Sequence, residues 1–140
     1  MNKKIILSIV LGLAIISTIC FPNAATAGGT ISPYYTDTYS VRANLSFEGD
    51  VAVSSGSVTP KRSVEVRKAV VSVFLQRKEN GKWKPVGSWI GSDFNERAEA
   101  GGRVTVSKGY DYRTYVVGRV YDANGLLLET VTVESATVHH

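Results

Sequence analysis

Polar and apolar residues take turns one by one through much of this chain, and that constrains it more than any other feature. Tyr39, Val41, Ala43, Leu45 and Phe47 alternate with Ser40, Arg42, Asn44 and Ser46. A two-residue period sends successive side chains to opposite faces of an extended backbone, so the segment predicts a half-buried β-strand with the first set inward. Glu48-Gly49-Asp50 reads as a turn. Val51, Val53 and Val58 predict a second strand, interrupted by Ser54 to Ser57. From Val64 to Arg77 the pattern changes phase, with Val64, Val66 and Val70 on one parity and Val71, Val73 and Leu75 on the other; a bulge or break is expected near Lys68-Ala69. Asn80-Gly81 predicts a tight hairpin, because both residues tolerate positive φ. A return strand follows from Trp83 to Ile90, then a polar, irregular stretch from Gly91 to Gly102 with at most one helical turn. A short strand spans Arg103 to Ser107 with Val104 and Val106 inward, and a longer one Tyr112 to Tyr121. Asp122-Ala123-Asn124-Gly125 predicts a second hairpin, leading into a last strand from Leu126 to Val138. About seven short strands with regular turns imply an all-β, immunoglobulin-like, two-sheet antiparallel sandwich over residues 39–138, with an open barrel as the alternative. Tyr112, at the mouth of the penultimate strand, is expected to hydrogen-bond back to the preceding turn.

The first 27 residues read differently. Lys3 and Lys4 precede an uncharged run from Ile5 to Cys20, and Ala25-Thr26-Ala27 supplies the small residues of a cleavage site. These are the parts of a secretory signal, with the cut placed after Ala27 and Pro22 breaking the preceding helix. The run is short for a membrane anchor, so contact with a membrane is expected only before cleavage. Lipidation at Cys20 is the other reading, although Ile19 stands where a small residue is wanted. Residues 28–38, rich in Gly, Ser and Thr, read as a flexible arm. The full chain carries 16 Lys and Arg against 12 Asp and Glu. Loss of Lys3 and Lys4 leaves a net charge of +2, too weak to suggest sequence-independent nucleic-acid binding. Cys20 is the single cysteine, so the exported chain has neither disulfide nor thiol nucleophile.

Catalytic chemistry is scarce. The two histidines, His139 and His140, close the chain and read as a frayed end, which removes the usual general base from the folded body. Asp93, Glu96 and Glu99 share the polar loop, and Glu48 and Asp50 flank a turn. A glycosidase needs paired carboxylates across a cleft, and short loops offer little cleft. Asp122 to Gly125 begins like a calcium loop but lacks the later oxygen ligands. No catalytic, cofactor or metal residues are assigned, and a non-enzymatic protein is expected.

The feature that suggests binding is the Asn80-Gly81 hairpin. Arg77, Lys78, Lys82 and Lys84 crowd its tip beside Trp83, with Trp89 further along. Two registers are open. If a two-residue turn pairs Lys78 with Trp83, Phe74 with Gly87 and Ser72 with Trp89, then Phe74, Trp83 and Trp89 form an aromatic strip opposite a core of Val71, Val73 and Leu75. If a three-residue turn pairs Arg77 with Trp83 and Val71 with Trp89, both indoles join the core side. The first arrangement makes a platform on which indoles stack on sugar faces and lysines meet anions. In the second, the charges serve to blunt a sheet edge.

Several short motifs occur together: Ile31-Ser32-Pro33-Tyr34-Tyr35-Thr36, a serine-rich first hairpin, Leu75-Gln76-Arg77-Lys78 with Gly81-Lys82-Trp83, and Lys108-Gly109 before Tyr112-Arg113. The combination resembles a family of small secreted proteins of Gram-positive bacteria, catalogued as a domain of unknown function. That resemblance implies export and a β-sandwich, and it transfers no activity. The expectation is therefore an extracellular or wall-associated binding module for a cell-wall polymer, a glycan or another extracellular protein, with a structural, assembly-forming envelope protein as the alternative.

Overall fold

The computed structural model describes residues 27–28, 35–63 and 65–140. The expected export signal lies outside the described residues except for Ala27, as does most of the N-terminal arm.

The strands are β1 (Ala27–Gly28), β2 (Thr38–Glu48), β3 (Val51–Pro60), β4 (Val66–Glu79), β5 (Lys82–Phe94), β6 (Ala98–Thr105), β7 (Asp111–Asp122), β8 (Leu127–Glu134) and β9 (Val138–His139). They form two antiparallel sheets, in the orders β1-β2-β3-β6 and β5-β4-β7-β8, with β9 also pairing β7. Seven of these strands are long, and β1 and β9 are two-residue ladders. The chain is thus an all-β sandwich. Its core lies between the inward faces, where Val41, Ala43 and Val58 of one sheet meet Val71, Val73, Val116 and Val120 of the other. A second cluster, Leu45, Ala52, Leu75 and Tyr112, continues it toward the β4–β5 hairpin end.

Register explains where the alternation holds and where it slips. Val71, Val73 and Leu75 are fully buried, as their parity requires. The expected irregularity near Lys68 is a register shift between Val66 and Lys68 against β7. It returns Val66 to the interior, where it is 3% exposed. Tyr39 departs from expectation: a shift between Thr38 and Ser40 turns it outward, 66% exposed, while Thr38 and Ser40 are buried.

Ser54 to Ser57 do not interrupt the second strand. β3 is continuous, and Ala52, Ser54, Gly56 and Val58 face inward, leaving Val51 and Val53 on the outer side. Buried Ser54 Oγ is 2.7 Å from Thr114 Oγ1, which also donates to the Asn44 carbonyl at 2.9 Å. A hydroxyl pair that satisfies itself across the core joins the sheets without an orphaned polar group.

The stretch from Gly91 to Gly102 is not a loop. β5 runs on to Phe94, a short turn carries Asn95 at φ 65°, and β6 begins at Ala98. Its glycines serve close approach: a Cβ on Gly91 would stand 2.0 Å from the Glu99 carbonyl oxygen, where the two sheet edges meet. The last expected strand is broken. β8 ends at Glu134, and Ser135 turns inward to accept a hydrogen bond from Thr114 N–H at 2.9 Å.

Tyr112 behaves as its position predicts. It is fully buried, and its hydroxyl donates to the Ser107 carbonyl at 2.6 Å. Tyr112→Phe is expected to cost about 1 kcal/mol, the net worth of a hydrogen bond whose acceptor lies on an exposed turn. A urea titration should show the midpoint falling at constant slope.

His139 and His140 are not frayed. His140 N–H donates to the Tyr110 carbonyl at 3.0 Å, and its ring stacks on Phe47 with centroids 4.4 Å apart. An imidazole covers the Phe47–Tyr112 edge that would otherwise be wet, and this holds the end of the chain down.

Candidate functional site

The β4–β5 hairpin positions the candidate residues. Asn80 and Gly81 both have positive φ, 50° and 76°, as a two-residue turn matched to strand twist requires. At the tip Glu79 pairs with Lys82, Lys78 with Trp83, Arg77 with Lys84 and Gln76 with Pro85. Then β5 carries an extra residue, and Leu75 pairs with Gly87, Phe74 with Ser88 and Val73 with Trp89. Neither expected register holds along the whole hairpin. The two-residue turn is right at the tip, and the bulge at Val86 reverses parity beyond it.

That bulge separates the two tryptophans. Trp83 lies on the outer face of the larger sheet, half-buried, with the Arg113 guanidinium 4.3 Å and the Lys78 ammonium 5.8 Å from its ring centre. Trp89 turns inward and packs against both parts of the core. The expected strip of Phe74, Trp83 and Trp89 therefore does not exist as such. Phe74 shares the outer face with Trp83, and Trp89 belongs to the core. Lys82 and Lys84 have the opposite parity to Trp83, and Lys84 pairs with Glu79 at 3.0 Å. Glu79 is held below the usual carboxylate range, chiefly by its hydrogen bonds with Arg77 and Lys84.

The rest of the outer face comes from β7, which hairpin reasoning missed. Pairing Gln76 with Arg113, Phe74 with Tyr115, Ser72 with Val117, Val70 with Arg119 and Lys68 with Tyr121 puts these side chains on one surface. Phe74 and Tyr115 rings are 6.5 Å apart. Arg113 is fixed: its Nε donates to Gln76 Oε1 at 2.8 Å, its other end pairs with Glu134, and its guanidinium lies 5.7 Å from the Tyr115 ring. At the far end Phe94 is 67% exposed beneath Lys68, 5.5 Å away, and Ile90 is 73% exposed between the two ends. From Lys68 to Lys78 this face extends about 33 Å at ~3.3 Å per residue. The signal was present in β7, where Arg113, Tyr115, Val117, Arg119 and Tyr121 alternate with buried Tyr112, Thr114, Val116, Gly118 and Val120. A strand that is apolar on both faces covers a core on one side and offers an apolar surface on the other.

The face is cationic as well as aromatic. Lys68, Lys78, Arg113 and Arg119 stand on it, against Glu134. Lys68, Lys78 and Arg119 have no ion-pair partner among the described residues.

Of the carboxylates weighed as acid–base candidates, Glu99, Glu48 and Asp50 are met by cations, whereas Asp93 and Glu96 make no ion pair among the described residues. Glu99 pairs with Arg97 at 2.7 Å, Glu48 with Arg103, and Asp50 with Lys108 at 3.3 Å. Hydrogen bonding and charge from Arg103 lower the Glu48 pKa, and Lys108 does the same for Asp50. Downward shifts suit ion pairing, whereas the acid of a glycosidase needs its proton held at neutral pH. His139 Nδ1 lies 2.7 Å from Asp111 Oδ1. His140 Nε2 is 3.3 Å from Asp50 Oδ1, within ion-pair distance. Among the described residues no serine or threonine hydroxyl is hydrogen-bonded to either ring.

Compared with known proteins, the chain matches no family model, no curated sequence and no solved structure.

Proposed function

We propose that this protein is an exported, non-enzymatic binding module that lays the outer face of its larger sheet against an extended anionic glycan, such as a wall polymer. One observation carries the reading: Trp83, Phe74, Tyr115 and Phe94 share an open surface with Lys68, Lys78, Arg113 and Arg119. Ring faces bind the apolar faces of sugars, and cations bind their acidic substituents. The ~33 Å length of the surface suits a chain lying along the strands rather than a small molecule in a pocket.

Charge also weighs against self-association through this face. Two copies meeting there would oppose the unpaired Lys68, Lys78 and Arg119 of one to those of the other, and like charges across an interface cost several kcal/mol. An anionic partner removes that repulsion.

The test is retention on purified cell wall and on an array of acidic and neutral glycans at low salt. Wild type is expected to bind acidic members and to be released by added salt. Trp83→Ala combined with Lys78→Ala should lose most of the retention while lowering the melting temperature by only about 5 °C, so that the fold persists in the assay. Binding to neutral glycans alone, or none at low salt, ends the proposal. Light scattering that shows concentration-dependent oligomers, abolished by Trp83→Ala, would favour the assembly-forming alternative instead.

A further inference from the structure

Beyond Phe94 the outer face runs into an open groove of about 710 Å³ at the end of the sandwich, between residues 61–63 and the β5–β6 turn. Lys61, Arg62 and Arg67 line it, with Phe94 as one wall and Glu96 as its one lining carboxylate. Arg62 and Arg67 make no ion pair among the described residues, and the Lys61 ammonium donates to the Tyr35 carbonyl rather than to a carboxylate. Arg97, in the smaller cleft that Arg62 also lines, is already neutralised by Glu99.

The walls are tied in place. Asn95, at φ 65°, donates its N–H to the Arg67 carbonyl at 3.2 Å, and Lys61 N–H donates to the Asp37 carbonyl at 2.8 Å. Three cations against one carboxylate, on a backbone held at both walls, give the groove a positive balance that favours an anion, and the planar guanidinium fork suits phosphate or carboxylate in two-point contact. Phe94 lines both the groove and the end of the outer face, so the two are continuous.

We propose that this groove grips an oxyanion substituent, a phosphate diester or a uronate carboxylate, on the same polymer whose chain lies across the aromatic face. The proposal rests on that reading of the face and names the group recognised at its end. Calorimetric titration of the protein with a glycerol-phosphate oligomer and, separately, with a uronate oligosaccharide tests it and tells which group is bound. Arg62→Ala/Arg67→Ala is expected to weaken binding of the preferred probe by about tenfold or more. Arg42→Ala/Arg103→Ala removes the same charge from the outer face of the other sheet and should change binding less than about twofold.

Equal losses in the two double variants would mean diffuse electrostatics and overturn the groove. So would a single-stranded oligonucleotide of matched charge binding as tightly as either probe. If Trp83→Ala abolishes binding while the groove variant keeps it, the groove falls and the face stands. If the groove variant loses binding and Trp83→Ala does not, the groove stands and the face falls.

Discussion

Trp89→Ala is expected to destabilise the protein by about 3 kcal/mol, a fall in melting temperature of roughly 15 °C for a domain of this size, while leaving ligand binding intact at temperatures where the fold persists. The indole closes the open side of the sandwich, where edge strands β5 and β6 face each other without pairing. It packs against both parts of the core, and backbone glycines make its room. A Cβ on Gly102 would stand 2.2 Å from Trp89 Nε1, and one on Gly87 would stand 2.8 Å from the ring carbon Cη2. Gly87 and Gly102 beside the ring have no side chain to move into the space it leaves. Trp83→Ala should cost about 1 kcal/mol, mainly its contact with Arg113. Thermal unfolding of both variants separates the cases. If Trp83→Ala were the more damaging, the assignment of the two indoles to opposite faces would be wrong.

That assignment shows where a sequence reading stops. Trp83 and Trp89 are six residues apart, so in an unbroken strand they share a face, and each register considered from sequence kept them together. One extra residue separates them. The local signal is Pro85-Val86-Gly87: proline cannot donate to a ladder and is tolerated at an edge or a bulge, and glycine lets the backbone bend. Tyr39 turned outward for the same kind of reason, a shift of one at Thr38. The buried valines of β4, the Asn80-Gly81 turn and the Tyr112 corner were legible because each depends on residues close in sequence. The end of β6 from Arg103 was legible from its alternating valines, but the part from Ala98 to Gly102 was not, since its glycines and charges resemble a loop until β3 and Trp89 are placed beside them. The candidate face was half legible. The hairpin supplied Phe74, Trp83 and Lys78, but Arg113 and Tyr115 join them only through the pairing of β4 with β7, forty residues apart. Long-range pairing is what local periodicity cannot specify.

Gly56→Ala should be nearly as damaging as Trp89→Ala, although it adds one methyl group. Gly56 sits in the middle of β3, facing inward, in a stretch whose serines and glycine mimic a turn. Its added Cβ would lie 2.4 Å from Val116 Cγ2, 2.9 Å from Val73 Cγ2 and 3.2 Å from the Arg42 carbonyl oxygen. Two of these contacts come from the opposite sheet and the third is backbone of the adjacent strand, so relief requires the sheets to part locally. Overpacking of this kind costs about 1–3 kcal/mol, and the upper end is expected here because both valines are fully buried and β-branched, with restricted χ1. The diagnostic measurement is a double-mutant cycle in urea. Val116→Ala alone should cost about 2 kcal/mol as a cavity, yet in the Gly56→Ala background it should be close to neutral, because the new methyl fills the space vacated. A coupling energy of about 2 kcal/mol would place Gly56 against Val116 across the core. Additive losses would mean that the two sheets do not meet at this residue, and the inward parity of β3, on which the outward placement of Val51 and Val53 also depends, would have to be reversed.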